Sequence, residues 1–382
     1  MDSSSVFILA GLILLAFVCA LRSTENGRTR AVLAGFVAGM VLATAAVPWA
    51  SQQAGYYPST NALRLVAGVE RELHAAIADP QIGRILVFEG SSYSARGLDA
   101  RQVASRMSES TGIGTAAVQL SLDGSNHFER YWMLSIAIER LDDRQRETLR
   151  RKQVVLLMEM QNRYDLDPLN NFTRNERTYR AYAYMTLGNA LAALRAVAIG
   201  GGLDGARTVA VLEHAAVNLS NLGGFRRVVS LDGIRIRPGY MPLDVAKRGY
   251  RFQGMDRVRA ALRHADAWRA TGRGFAAADR QLDWIGPVRI ARFRDLLGDL
   301  VDQAGFYAVA SADADDIYHV AAFCAKWPAD FCLDYEDPAL IDALDGREYW
   351  NDARHMRPAG ADRFAPWFAK RLAAALAGEV GR

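Results

Sequence analysis

The sequence predicts an α/β fold built on a parallel sheet. Three short apolar runs each end in a turn of small or polar residues and are followed by a helical pattern. They are residues 85–88, which end at Gly90-Ser91-Ser92; 115–122, which end in Asp123-Gly124-Ser125-Asn126; and 154–158, which end in Glu159-Met160-Gln161-Asn162. Runs of this length, rich in Val, Ile and Leu and bounded by turn residues, read as buried strands. Strand, turn and helix in regular alternation are the pattern of parallel βα units. Such a sheet gathers its strand ends on one edge, where ligands bind.

Residues 61–78 carry Leu63, Leu65, Val66, Val69, Leu73 and Ile77 at helical spacing, and 100–108 and 127–141 read as helices after the first two strands. From about residue 164 to 284 the pattern is mostly helical and irregular, as expected of an insertion or lid. Its Arg226, Arg227, Arg235, Arg237 and Tyr240 could meet a glycan or simply face water. Residues 200–205 satisfy G-x-G-x-x-G but follow a helical stretch and not a strand, so they predict a helix–loop–helix connection and no dinucleotide site. Beyond the insertion, 288–304 reads as an amphipathic helix leading into a strand at 306–310. A helix at 317–324, a last strand at 331–333 and a final helix at 363–376 complete the order.

The net charge of +4 over 382 residues is small, and the arginines are interspersed with acids, which argues against nucleic acid as a partner. Hydrophobic residues make up 51% of the chain, and part of the excess sits at the N-terminus. Residues 6–21 and 31–50 are uncharged, and the second matches the ~20 residues that span a bilayer. Between them stand Arg22, Arg28 and Arg30, which should hold that loop in the cytoplasm. The expectation is two transmembrane helices forming a membrane anchor over residues 1–50, with residues 51–382 outside the cytoplasm. The competing readings are a pair of buried core helices and a single anchor at the second run with the first lying differently. No basic residue precedes the first run, unlike a secretory signal peptide. Cys324 and Cys332 lack zinc-knuckle spacing and are either a short-loop disulfide or two free thiols.

The chemistry is expected where the first strand ends. A serine hydroxyl in a strand-to-helix turn is a nucleophile if a base reaches it. Near the C-terminus, Asp352 and His355 lie three apart, close enough for the carboxylate to orient the imidazole. His127, His214, His264 and His319 show no ligand spacing.

In these pieces the chain resembles the SGNH (GDSL-like) hydrolase superfamily. Gly90-Ser91-Ser92 stands where that family has Gly-Asp-Ser, which makes Ser92 the nucleophile and Ser91 the departure. Gly124 matches the second-block glycine that donates to the oxyanion. In the third block Met160-Gln161-Asn162-Arg163 keeps the asparagine, and Asp352-Ala-Arg-His355 fits the last block. The resemblance implies a three-layer, flavodoxin-like domain with catalytic Ser92, Asp352 and His355 and oxyanion donors from Ser92, Gly124 and Asn162. It requires neither metal nor cofactor. With the membrane-anchored start, the chain is similar to the SGNH-type proteins of cell-envelope polysaccharide O-acetylation, the alginate group among them. That likeness implies O-acyl, chiefly acetyl, transfer or ester hydrolysis on a polysaccharide through an acyl-serine. It places the chain on the bacterial inner membrane with its domain in the periplasm, beside a membrane-bound O-acyltransferase partner. The alternative is a catalytically inactive SGNH-like subunit that binds glycan or scaffolds an acylation complex.

Overall fold

A computed structural model describes residues 58–160, 167–173, 184–202, 204–219, 240–244, 247, 249–271, 283–327 and 329–378, with four isolated positions before residue 58. Apart from those isolated positions, the two apolar N-terminal segments lie outside the described residues, as does Asn162. No helix among the described residues is long and apolar enough to cross a membrane.

Five strands form one sheet: β1 (Arg84–Glu89), β2 (Thr115–Gln119), β3 (Gln153–Glu159), β4 (Gln303–Tyr307) and β5 (Cys332–Leu333). The order is β2-β1-β3-β4-β5, and every pairing is parallel. Registers such as Val87↔Val118 and Leu86↔Val155 bring the apolar runs side by side. Ile85 to Phe88 and Val154 to Met158 are all buried, because strands in the middle of a parallel sheet are covered on both faces. Strand order reverses direction beside β1, and such a switch point opens a crevice at the strand ends.

Helix α1 (Pro58–Ala78) precedes the sheet. After β1 come a single short helix, α2 (Ser92–Gly97), and α3 (Ala100–Thr111), which Asp99 caps by accepting from the Arg101 and Gln102 N–H groups. Helices α4 (His127–Glu139) and α5 (Asp143–Arg150) connect β2 to β3. The chain steps one way from β1 to β2 and back again to β3. Right-handed crossovers then put α3 on one face and α4 with α5 on the other. Between β3 and β4 the described elements are helices: α6 (Pro168–Thr173), α7 (Leu187–Gly201), α8 (Gly205–Leu219), α9 (Asp256–Thr271), a π-helical turn at Ile285–Ile290 and α10 (Ala291–Leu297). The glycine-rich residues after α7 do connect helix to helix. Then follow α11 (Ala314–Lys326), α12 (Pro338–Ala343) and α13 (Pro358–Leu376), the last packed against α3 and α2.

Two expectations shift. The single helix expected over 288–304 breaks at Gly298, whose φ of 52° is left-handed, and β4 starts at Gln303. The serine turn is not merely a turn, since α2 begins at Ser92 itself.

Cys324, on α11, and Cys332, on β5, form a disulfide, which decides between the two alternatives left open by their spacing. It closes a short loop with a sequence separation of 8. Replacing both cysteines by serine is expected to lower stability by about 2–3 kcal/mol, read from urea unfolding with and without reductant. The reductant should destabilise only the wild type.

Candidate active site

The strand end at Glu89 and the loop before α13 meet at Ser92. Its hydroxyl lies 2.9 Å from His355 Nε2, and His355 Nδ1 lies 2.8 Å from Asp352 Oδ1. The structure thus brings together all three residues expected to act as a triad, although 263 positions separate Ser92 from His355. Both His355 and Asp352 are partly open to solvent, with side chains 23% and 21% exposed.

Local chemistry explains each placement. Gly90 is required because a Cβ there would meet the Tyr307 hydroxyl at 2.7 Å and overlap Ser94. Residues 350–356 form a tight loop, with Trp350 and Met356 bridged as antiparallel strands and Asn351 N–H donating to the His355 carbonyl at 2.8 Å. Asp352 Oδ1 accepts from the Arg354 and His355 amides at 2.9 and 3.0 Å as well as from the imidazole. Burial pushes the Asp352 carboxyl up, but the His355 ring, its charge and these two amides outweigh it and hold the group below the usual carboxylate range. The loop is fixed to the sheet because the Ala353 carbonyl accepts from Ala312 N–H and from the Ser311 hydroxyl at 2.9 and 3.1 Å.

The loop bearing Gly124 runs beside the serine. Leu122 N–H and the Ser125 hydroxyl both donate to the Gly90 carbonyl, at 3.4 and 3.1 Å. Arg96 of α2 pairs with Asp123 and donates to the Met241 carbonyl at 2.7 Å, while Met241 N–H donates to the Ala95 carbonyl. The described part of the insertion nearest the site therefore touches α2. It also reaches the His355 loop, through Lys247 N–H to the Asn351 carbonyl and Arg357 to the Asp244 carbonyl. Tyr240 is half-buried there; burial raises its phenol to about 12, so it is a neutral group at physiological pH.

Three features were not anticipated from the sequence. First, Glu89 and Glu159, which end β1 and β3, are 0% and 2% exposed. Glu89 pairs with Arg130 at 2.8 Å and with Arg289, and Arg289 also donates to the Glu159 carbonyl at 2.6 Å. The available signal was an acid directly after each apolar run, where a strand end still lies in the core. Second, Tyr93 packs its ring against that of His355, with centroids 5.5 Å apart and planes tilted by 40°, and its hydroxyl donates to Asp316 at 3.1 Å. Third, His127 is fully buried against Phe128, Trp284 and Phe293. Burial and the Arg289, Arg292 and Arg130 charges push its pKa well down, which keeps the ring neutral.

Asp316 leads to a pH prediction. Burial raises it from 3.8 to about 7, against the opposing pull of the Ser311 hydroxyl and the Arg354 charge. A carboxyl raised in the folded state stabilises at low pH and loses that contribution as pH climbs towards 7. Asp316→Asn does not titrate, so its stability relative to wild type should rise by roughly 2 kcal/mol between pH 5 and pH 8. Unfolding curves at pH 5, 6.5 and 8 check it; a constant gap would contradict the assignment.

Comparison with protein-family models and with curated proteins finds no match for this chain. The geometry alone carries the functional reading. Among the described residues no cluster of three or more His, Cys, Asp or Glu side chains is placed to hold a metal ion.

Proposed function

We propose that the chain is a serine-dependent acyl-transfer enzyme of the SGNH type that acts on O-acyl esters of a cell-envelope polysaccharide. The observation that carries the reading is the relay from Ser92 Oγ through His355 to Asp352, with contacts of 2.9 and 2.8 Å. A hydroxyl, an imidazole and a carboxylate in that order make a general-base-activated nucleophile. The parallel sheet, with its serine at the end of β1, supports a three-layer, flavodoxin-like SGNH domain carrying a helical insertion over about 164–284.

In this reading Ser92 Oγ attacks the ester carbonyl carbon while His355 Nε2 takes the hydroxyl proton. The carbonyl oxygen becomes an oxyanion, and the bond to the leaving alkoxide breaks as His355 returns the proton to it. A hydroxyl of the acceptor, or water, then attacks the acyl-serine, and the proton follows the same route back to Ser92. Oxyanion donors are the backbone N–H groups of Ser92 and Gly124, with the Asn162 side chain as the third. The Ser92 N–H meets no acceptor among the described residues, which suits that role. Each good donor contributes about 3–4 kcal/mol to the transition state.

The apolar N-terminal segments support an inner-membrane anchor, and the Cys324–Cys332 disulfide suits an oxidising compartment such as the periplasm. Tethering beside a membrane-bound O-acyltransferase favours transfer over hydrolysis. Fluorophosphonate labelling tests the reading. Intact protein should be modified at Ser92, and neither Ser92→Ala nor His355→Ala should label. A wild type that stays unmodified, where a serine esterase reacts, would favour the inactive glycan-binding subunit.

A further inference from the structure

Glu159 ends β3, yet its carboxylate serves the serine turn after β1. One oxygen accepts from the Ser91 and Ser94 N–H groups, both at 3.0 Å, and from the Ser94 hydroxyl; the other accepts from the Ser91 hydroxyl. Ser91 is the N-cap of α2, with extended backbone, but its own side chain caps nothing. The task that an N-cap side chain normally performs, accepting from an amide of the first turn, has passed to a buried carboxylate 68 positions from Ser91 on a neighbouring strand.

The residue that carries it is itself held at its main chain. Arg289 grips the Glu159 carbonyl, and the Ser94 hydroxyl shares a 2.6 Å bond with Tyr307 of β4. Ser92 is thus flanked by two residues held by one rigid group, at the ends of three adjacent strands. A shift of Ser91 or Ser94 would carry Ser92 with it and open its 2.9 Å contact with His355.

We infer that Glu159 is a positioning residue for the nucleophile, fixing the turn so that the Ser92 hydroxyl meets His355. The inference rests on Ser92 being the nucleophile, and the experiment separates the two. The measurements are the fluorophosphonate labelling rate, kcat and KM for p-nitrophenyl acetate, and the unfolding midpoint, on full-length protein. Glu159→Gln keeps the shape but turns an acceptor into a donor. It should remain folded, label about 100-fold more slowly and lose kcat in proportion, with KM changed by less than about threefold.

Relocation of the carboxylate provides the decisive control. Ser91→Asp places an acid at the N-cap, within reach of the Ser94 amide. In the Glu159→Gln background it should restore labelling to within about tenfold of wild type. Folded Glu159→Gln that labels at the wild-type rate overturns the inference, as does a double variant with no recovery. Should Glu159→Gln fail to fold, Ser94→Ala decides by the same readouts. Loss of one of the four donors should slow labelling about fivefold, and an unchanged rate overturns the inference. No labelling of the wild type defeats the nucleophile reading itself, and the positioning role falls with it.

Discussion

Ser92→Ala is expected to lower kcat/KM for p-nitrophenyl acetate by about 10⁴-fold or more, with an unfolding midpoint close to that of wild type. His355→Ala should lose about as much, and the double variant no more than either alone, because the two groups act as one unit. Asp352→Asn should cost about 10³–10⁴-fold by releasing the imidazole from its tautomer. Asp352 stays ionised well below neutral pH, so the acid limb of the rate profile should not track its titration. Its contribution is present above the ordinary carboxylate range and lost only as pH falls through its lowered value. If the three single variants retain most of the activity, the ester chemistry belongs elsewhere in the molecule.

Arg289→Met should cause the largest loss of stability. The guanidinium is 2% exposed and holds both the Glu89 carboxylate and the Glu159 carbonyl. Removing it strips the buried Glu89 carboxylate of one of its guanidinium contacts while the ion pair with Arg130 stays, and breaking such a buried pair costs about 3–5 kcal/mol. Glu89→Gln also removes the carboxylate that Arg130 pairs with, and the double variant should cost less than the sum of the two single losses, because the Glu89–Arg289 pair is lost only once. A double-mutant cycle by urea unfolding measures the coupling. Coupling near zero would mean that the two strand ends are held by packing alone.

Much of the framework was legible in the sequence because its signals are local. The strands at β1 and β3 are continuous apolar runs, and periodicity alone marks α1 and α13. The pairing of Ser92 with Asp352 and His355 was legible for a different reason: residue types with one joint chemical use stood at the ends of predicted elements. Glu89, Glu159, Arg130 and Arg289 were not legible. A charged residue beside an apolar run normally marks the point where a strand reaches water, and here the strands end inside the protein against partners from distant helices. Asp316 and Tyr93 were hidden for a related reason, since nothing within α11 signals that its first turn accepts from a tyrosine of α2 that packs against His355. The interruption at Gly298 escaped because apolar spacing continues through it while the backbone does not.

The long separation between serine and imidazole has a consequence for biogenesis. Contacts between remote parts of a chain close late, after the intervening loop entropy has been overcome. A ribosome delivers the serine turn and most of the sheet well before His355 emerges. On the proposed reading, the nascent protein would carry its serine with no base to activate it until the loop bearing His355 docks. A chain released early, lacking only the segment from residue 350 onward, would keep the residues of all five strands and lack both Asp352 and His355.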